Sequence, residues 1–508
     1  MISLNSTIFD GLVSFQNSPL TFPATAATAL AIICFAYLAV SPQTKPTDVR
    51  KLPGLSILTA WPFFTRRHDF LKSNFTKVGE QLFTFKVLQH SITAAKGEDA
   101  RKDFFDNKSL NFTEGYRILM GAVPRLQDID IQTESQEDVS WFNKNLLTLL
   151  NRSRLSDVLP TLFEDIQGRM DGWGKEGKMD PFKNVYDLVF QMTVRMATCR
   201  ELSADLETVT RLQGLYWTLE KSATPTSLLL PWLPSPAKKQ KEVATQEIYT
   251  LLDQFVEKRR AADVPSSDAI DVLLSQGNDN QNIIGFIIGV VFAGVINTGI
   301  NSCWTLLFLA HNPEWRKKVE TEVQSLIMKH TNTTSSEPLH QRLAAIPISV
   351  WEDEMPILDV VIRETIRLVV NGAALRRNVH EDLHMAGKTI PKGNFVTYPV
   401  FDAHLNSDIY TNPTKFDPDR FSPDREEDKK EKYAYLGWGA GRHPCTGMKV
   451  AKLEIKIIVA LFVAAYEYDL VDSAGKYPAS LPKPNYNDIQ QARPVGEPCY
   501  LKFKRVVE

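Results

Sequence analysis

The segment that most constrains this chain is residues 436–454, which read LGWGAGRHPCTGMKVAKLE. Glycines surround its one cysteine, Cys445, and a helix-forming run follows directly. Gly441 and Gly447 let the backbone turn tightly and bring N–H groups near the Cys445 sulfur. The positive end of a helix that begins near Thr446 would favour the thiolate further. A single thiolate in such a loop suits one axial position of a haem iron, with the other face of the cofactor left open.

This spacing resembles the haem-binding loop of the cytochrome P-450 family. The family pattern is an aromatic residue, two residues, Gly, one residue, Arg or His, one residue, Cys, one residue and Gly. Trp438 stands where the family usually has Phe, Gly441 and Gly447 stand at the glycines, and His443 stands at the Arg/His position. The resemblance implies that Cys445 is the proximal ligand of heme b. The alternative at this point is a glycine-rich turn with a buried, inert cysteine.

A second motif supports the resemblance. Glu364 and Arg367, in DVVIRETIRLVV, are three residues apart and share one face of a helix, where they can form an ion pair. A surface pair of this kind would contribute little. The apolar run around it predicts burial instead, and a buried pair needs further partners. In the family this Glu-x-x-Arg joins an arginine of a Pro-Asp-Arg-Phe-like segment, which implies Arg420, in FDPDRF, as the third member.

Composition agrees with a large intracellular enzyme. The chain has 508 residues, 43% of them hydrophobic, and a net charge of −2, so nothing indicates nucleic-acid binding. The five cysteines are odd in number and form no CxxC pair. This count argues against a disulfide framework and for a reducing, cytosol-facing body.

The amino terminus is predicted to be a membrane anchor. Residues 22–40 carry no charge and approach the ~20 apolar residues that a spanning helix needs. The first basic residues follow this run: Lys45, Arg50 and Lys51. That order places residues 1–21 in the lumen, where Asn5 could be glycosylated, and the catalytic domain, residues 55–508, on the cytosolic side of the endoplasmic reticulum. Residues 41–54 carry three prolines and are predicted to form a stiff hinge. A cleaved signal peptide is the competing interpretation.

The body is predicted to be mainly α with small β-sheets, the cytochrome P-450 fold. Helices are expected over 68–77 and 98–107, and two paired strands over 81–86 and 91–95. An amphipathic helix is expected to begin at Trp141 and to end near Arg154.

Residues 282–310 are apolar enough to cross a membrane, but polar residues interrupt them, and a long core helix explains them equally well. The family has such a helix over the distal face of the haem. There an acid and an alcohol deliver protons. Aligned from Asn312-Pro313, this chain has Ile296 in place of the acid and Asn297 in place of the alcohol, with Thr298 next.

An asparagine at this position resembles the branch that holds the sterol 7-alpha-hydroxylases and prostacyclin synthase. An amide has no acidic proton, but it can hold a water molecule by donating and accepting hydrogen bonds. Asn297 and Thr298 are therefore the predicted catalytic residues of a monooxygenase. A peroxide isomerase or dehydratase is the alternative, and a non-catalytic haem- or sterol-binding protein is a third. Asn297 could also simply satisfy a helix carbonyl.

The resemblance also implies contacts to the haem propionates. A family tryptophan matches Trp141, but Asn145 stands where the family has an arginine, and Lys144 is a weak substitute. The other candidates are His443, Arg376 and Arg377.

The implied partners are O2, a bulky lipophilic substrate such as a sterol or terpenoid, and an NADPH-dependent flavoprotein reductase. The reductase would dock near three basic residues of the thiolate loop and its helix: Arg442, Lys449 and Lys452. A loop over 226–239, with Trp232 as its interfacial residue, is expected to dip into the membrane at the substrate entrance. The proline-rich residues 473–502 resemble filamentous-fungal members and indicate secondary metabolism.

Overall fold

A computed structural model describes residues 48–507, apart from 89, 120–135, 230–233, 263–265, 333–334, 480–481 and 489–491. Helices dominate these residues. In chain order they are α1 (Ser56–Thr65), α2 (Arg67–Val78), α3 (Glu98–Asp106), α4 (Phe112–Leu119), α5 (Gln136–Leu149), α6 (Arg152–Asp171), α7 (Pro181–Ala197), α8 (Arg200–Ala204), α9 (Leu206–Ser222), α10 (Pro225–Leu229), α11 (Pro236–Arg260), α12 (Ala269–Ser275), α13 (Asn280–His311), α14 (Pro313–His330), α15 (Leu339–Ala344), α16 (Ile348–Asp353), α17 (Pro356–Val369), α18 (Phe401–His404) and α19 (Met448–Ala465).

The strands are short and form small sheets. They are β1 (Leu82–Val87), β2 (His90–Ala95), β3 (Leu110–Asn111), β4 (Glu176–Met179), β5 (Ala373–Asn378), β6 (Leu383–Met385), β7 (Lys388–Ile390), β8 (Phe395–Pro399), β9 (Gly439–Ala440), β10 (His443–Pro444), β11 (Tyr466–Val471) and β12 (Tyr500–Arg505). The largest sheet has the order β1-β2-β8-β5-β3, in which only β2 and β8 run parallel. The predicted class, mainly α with small β-sheets, is confirmed.

The long apolar helix α13 runs through the core. Asp279 caps its start by accepting from the Asn282 N–H, and Pro313 opens the next helix directly after Asn312. Among the residues that the structure describes, α13 is a helix that is both long enough and apolar enough to cross a membrane. Its side chains are mostly buried against neighbouring helices, so the core-helix interpretation is correct for it.

The predicted helix over 141–154 is wrong at both ends. The helix that contains Trp141 is α5, which begins at Gln136 and ends at Leu149. A second helix, α6, begins at Arg152 because Asn151 adopts an extended backbone and caps it by accepting from the Arg154 N–H. The predicted elements over 68–77, 81–86, 91–95 and 98–107 agree with α2, β1, β2 and α3.

Much of the predicted membrane attachment lies outside the described residues. This holds for residues 1–21, the anchor at 22–40, the first part of the hinge at 41–54, and Trp232 of the 226–239 loop. The last part of the hinge is described. There Leu52 N–H donates to the Thr84 carbonyl (2.8 Å) and Thr84 N–H to the Arg50 carbonyl (2.8 Å), so this segment extends the edge of β1.

Candidate functional site

Backbone geometry shapes the cysteine loop. Strands β9 and β10 pair antiparallel, and the Cys445 N–H donates to the Trp438 carbonyl at 2.7 Å. Gly441 has φ +58°, and a β-carbon there would lie 2.3 Å from the Phe105 carbonyl oxygen. Only glycine fits this position. The close approach also lets the Arg442 N–H donate to the same Phe105 carbonyl, at 3.1 Å, which joins the loop to the end of α3.

Cys445 is exposed, whereas the other described cysteines, Cys199, Cys303 and Cys499, are buried. This accessibility argues against the inert-cysteine interpretation. Burial of its surroundings raises the pKa of the Cys445 thiol, and a hydrogen bond from the Gly447 backbone opposes that rise. The Gly447 backbone is thus the part of the loop that favours the thiolate. A thiol with a raised pKa can still serve as a metal ligand, because a bound metal ion deprotonates a coordinating thiol outright.

Helix α19 begins at Met448, two residues later than expected, with Gly447 at the N-cap. The side of Gly447 is open, since a β-carbon there would meet nothing within 4 Å. Its part in the loop is therefore its N–H group.

A basic cluster lies beside the loop. The His443 ring stacks on Phe112 (centroids 5.4 Å apart, 25° between planes), and the Arg376 guanidinium lies 4.8 Å from the centre of the same ring. Burial, with the charges of Arg376 and Arg442, lowers the pKa of His443 to about 4. The ring N–H of His443 is thus a hydrogen-bond donor beside two cations. Such an environment fits the carboxylates of a haem.

The two other predicted propionate contacts point elsewhere. Arg377 pairs with Glu114 (2.9 Å) because neighbours on strand β5 face opposite sides of the sheet. The Trp141 indole N–H donates to the Asn278 side chain at 3.2 Å, and its ring packs edge-on against Phe286. The contacts of Trp141 thus join α5 to the start of α13 rather than to the His443 cluster.

The middle of α13 has an exposed face. Ala293 and Asn297, one turn apart, are exposed, although they belong to a helix that is otherwise largely buried, and Thr298 is buried beside them. No described residue hydrogen-bonds to the Asn297 amide. The Asn297 main-chain carbonyl accepts from the Asn301 side chain at 2.7 Å. The hydrogen bonds of the described residues give no support to the interpretation that the Asn297 side chain merely satisfies a helix carbonyl.

The three predicted network residues meet in the core. Arg367 donates to both oxygens of Glu364 (2.7 and 2.8 Å), and Arg420 donates to Oε1 of the same carboxylate (3.0 Å). All three are fully buried. Arg420 also donates to Oε2 of Glu427 at 2.6 Å, so a second buried carboxylate offsets its charge. This arrangement satisfies the demand for further partners that a buried pair makes.

Sequence reasoning missed Glu427 and a buried histidine, His404. Although burial opposes its ionisation, hydrogen bonds from Arg425 and the charge of Arg420 hold the pKa of Glu427 at about 2. Glu427 lies in the charged run EEDKKEK, where nothing marks one acid above the others. His404 belongs to no motif that we used.

The proposed docking residues differ in availability. Arg442 and Lys449 are exposed. Lys452 instead forms an ion pair with Asp359 at 2.8 Å, and the buried Lys456 lies 3.1 Å from the same carboxylate oxygen. One acid therefore offsets much of the charge at Lys452.

Comparisons with known proteins agree on one family. The family profile described as "Cytochrome P450" matches residues 168–484. The chain is 29% identical over 497 residues to the cytochrome P450 monooxygenase AacuE of Aspergillus aculeatus (95% of this chain, 98% of that one). It is 30% identical over 468 residues to the cytochrome P450 monooxygenase nsrP of Aspergillus novofumigatus (90% of each).

More distant similarities extend further. The chain is 27% identical over 470 residues to a sterol 14-demethylase of Arabidopsis thaliana (88% of this chain, 92% of that one). The solved structure of the retinoic acid-bound cyanobacterial CYP120A1 is 21% identical, with a TM-score of 0.72 over 91% of this chain and all of that one. That likeness shows the fold.

Proposed function

The chain belongs to the cytochrome P450 family, and from that membership we propose how its residues carry out haem–thiolate monooxygenation. It is a monooxygenase with heme b that uses O2, takes electrons from a redox partner and oxidises a lipophilic substrate. The observation that carries the residue assignment is the exposed Cys445, held at the end of a backbone hydrogen-bonded loop directly before helix α19.

In this proposal the cofactor contacts come from two sides. Cys445 Sγ would bind the haem iron, while His443 and Arg376 would hold the propionates. Trp438, partly buried in the hydrophobic core, packs beside the ligand. The haem supplies the chemistry of oxygen activation, and an electron-rich thiolate ligand favours O–O cleavage. The protein holds that ligand in place through the backbone hydrogen bonds of the loop.

The Asn297 amide would hold a water molecule at the exposed face of α13, beside Ala293. The amide can accept from the water and donate to it at once, and so it orients the water as a proton source. Thr298 borders this position from the buried side of the helix. An amide that holds water replaces the acid and alcohol that the family usually has on this helix.

We assign electron supply to an NADPH-dependent flavoprotein reductase. The exposed cations Arg442 and Lys449 flank Cys445 and suit an acidic partner surface. The substrate class is a sterol, a terpenoid or a related fungal secondary metabolite. Its support is the chain's similarity to two Aspergillus P450 monooxygenases and to sterol demethylases.

We further propose a single-pass protein of the endoplasmic reticulum membrane, with residues 22–40 as the anchor, a cytosolic catalytic domain and a glycosylated Asn5. An apolar surface directly after the hinge supports this placement. Leu55, Leu58 and Trp61 are exposed by 57%, 65% and 49% and lie three residues apart, on or beside α1. Exposed apolar patches of this kind suit a lipid surface.

Product mass tests the reaction. Membranes that contain this protein and a reductase are incubated with sterols, terpenoids and lipid hydroperoxides, with and without NADPH. We expect a product heavier by one oxygen atom, or further oxidised, that forms only with NADPH, and no product from Cys445→Ala. A product isomeric with a hydroperoxide and formed without NADPH would instead identify the isomerase. Asn297→Thr separates the two, since its effect on the NADPH-dependent rate reports on oxygen activation.

Glycosidase sensitivity tests the topology independently. Besides Asn5, the chain carries five Asn-x-Ser/Thr sequences in its body, and the asparagine is exposed in two of them, Asn151 and Asn332. A cytosolic body predicts a glycosidase-sensitive mass that is abolished by Asn5→Gln and unchanged by Asn151→Gln with Asn332→Gln. Glycans on the latter two would place the body in the lumen.

A further inference from the structure

A buried histidine lies between the Glu364–Arg367–Arg420 cluster and the cysteine loop. His404 ends α18 and is fully buried. Its main-chain carbonyl accepts from Arg367 Nη1 at 2.5 Å. Its ring stacks on Tyr435, with centroids 5.5 Å apart and 27° between planes.

The two ring nitrogens have different partners, and these define the tautomer. Nδ1 lies 3.1 Å from the Val370 carbonyl, so it must carry the proton. Nε2 accepts from the Leu436 N–H at 2.8 Å, so it must be bare. Burial, followed by the charge of Arg367, lowers the pKa of His404 to about 3, which keeps this neutral tautomer across the physiological range.

Leu436 opens the segment that presents Cys445. Its carbonyl accepts from the Gly439 N–H at 3.0 Å, and the carbonyl of Trp438 accepts from the Cys445 N–H at 2.7 Å. The His404 imidazole accepts from the Leu436 N–H, and backbone hydrogen bonds within the loop connect Leu436 to Cys445, the residue that bears the sulfur. His404 bonds the start of this segment on one side and the buried arginine on the other.

We propose that His404 is a positioning residue for the Cys445 sulfur, which it sets relative to the Glu364–Arg367–Arg420 cluster through the Leu436 N–H. The proposal rests on the proposed role of Cys445 as axial ligand. The imidazole fills a fully buried space and supplies one acceptor that the Leu436 N–H would otherwise lack. A buried N–H without an acceptor is costly, so loss of the imidazole acceptor would move the segment that begins at Leu436.

The test uses haem-loaded full-length protein and the spectrum of its ferrous carbon monoxide complex. A thiolate ligand gives a strongly red-shifted Soret band, and a neutral thiol does not. His404→Phe keeps the stack on Tyr435 but removes the acceptor. His404→Gln can present its amide oxygen to the Leu436 N–H. We expect the Phe variant to lose much of the red-shifted band and to raise the haem reduction potential, and the Gln variant to retain both wild-type properties.

Tyr410→Phe is the matched control. The buried Tyr410 hydroxyl donates to the Ala434 carbonyl at 3.2 Å, two residues before Leu436. Removal of this hydroxyl deletes a buried hydrogen bond to the residues directly before that segment without touching the Leu436 N–H. We expect a lower melting temperature with an unchanged spectrum. A His404→Phe protein that melts early but keeps the wild-type spectrum and potential would overturn the proposal, because His404 would then be merely structural.

Hydrogen exchange covers the case in which the Phe variant takes up no haem. His404→Asn is a milder change whose shorter amide cannot reach Leu436. In the haem-loaded Asn variant, the Leu436 amide should exchange about tenfold faster or more than in wild type or in the Gln variant. Equal exchange in all three would also overturn the proposal. A wild-type protein without the red-shifted band would instead contradict the ligand assignment of Cys445.

Discussion

The ring of Tyr186 lies against Gly299, where a β-carbon would come within 2.6 Å of its Cε1 atom. The glycine lets helix α7 approach α13 at the turn that carries Asn297 and Thr298. The Tyr186 hydroxyl then donates to the Ile296 carbonyl at 3.3 Å, directly before Asn297. Tyr186 thus packs against the turn of α13 that carries the predicted catalytic residues, and only a glycine at position 299 leaves room for its ring.

We therefore expect Gly299→Ala to lower the free energy of unfolding by about 1–3 kcal/mol, the usual cost of overpacking. The added methyl must displace a fully buried ring. Urea denaturation measures the change. The matched control is Gly214→Ala on α9, where a β-carbon meets nothing within 4 Å and the glycine is exposed. This control should be stabilised by about 0.4–1 kcal/mol. A neutral effect at Gly299 would mean that Tyr186 moves freely.

Two asparagines one turn apart on α13 should respond differently to loss of their amides. Asn297 is exposed, so Asn297→Leu should change the free energy of unfolding by less than about 0.5 kcal/mol. The same variant should waste reductant, with more NADPH consumed per product, because the distal water has lost its amide. Product and NADPH consumption are measured together.

Asn301→Leu is the counterpart. Asn301 is buried and donates to the Asn297 carbonyl at 2.7 Å. Loss of that bond should cost about 1 kcal/mol of stability. The two roles are reversed if Asn297→Leu lowers the free energy of unfolding as much as Asn301→Leu does and leaves the amount of NADPH consumed per product unchanged.

Motif spacing predicted those parts of the site that local sequence determines. Gly441 was predictable because its turn and its close approach to Phe105 tolerate no side chain. Glu364 and Arg367 were predictable because helical spacing alone brings them together. The assignment of Arg420 needed the family resemblance, since 56 residues separate it from Glu364.

The remaining residues depend on tertiary contacts that no local pattern carries. His404 acquires its partner from Leu436, 32 residues away. Glu427 differs from its acidic neighbours only because Arg420 lies beside it. Trp141 and Arg377 matched expected positions in the chain, yet their contacts, Asn278 and Glu114, draw them to other surroundings. For Arg377, the register of its strand decides which side of the sheet the side chain faces. For Trp141, the partner depends on which elements pack against its helix.

Acid should remove the contribution of Glu427. Its folded-state pKa, about 2, lies below its ordinary value of 4.5. A carboxyl with a depressed pKa stabilises the fold above its unfolded pKa, and the contribution is lost as the pH falls from about 4.5 towards 2. Above its unfolded pKa, the ionised Glu427 contributes about 3 kcal/mol to the free energy of unfolding. The difference in unfolding free energy between wild type and Glu427→Gln should therefore be largest above pH ~5 and shrink below pH ~4. A difference independent of pH would contradict the ion pair with Arg420.

The buried carboxylate of Glu364 should matter far more than any surface ion pair. In Glu364→Gln, an amide NH2 would face the donors of Arg367 or Arg420 and leave buried cations without a counter-charge. Breaking such a pair costs about 3–5 kcal/mol, a large part of a typical stability of about 5–15 kcal/mol. We expect a strong loss of haem-loaded protein.

The control for this prediction is Glu247→Gln, which breaks the exposed pair between Glu247 and Arg211 (3.3 Å) and should cost less than about 1 kcal/mol. Arg420→Lys grades the effect. It keeps the charge, but one ammonium cannot span the four acceptors that Arg420 reaches: Glu364, Glu427, Thr411 and Lys415. Its stability, measured by urea denaturation, should fall between wild type and Glu364→Gln. If Arg420→Lys is as stable as wild type, the charge of Arg420 stabilises the fold and the planar geometry of its guanidinium does not. The geometric fit of the cluster would then not be what holds the cysteine loop.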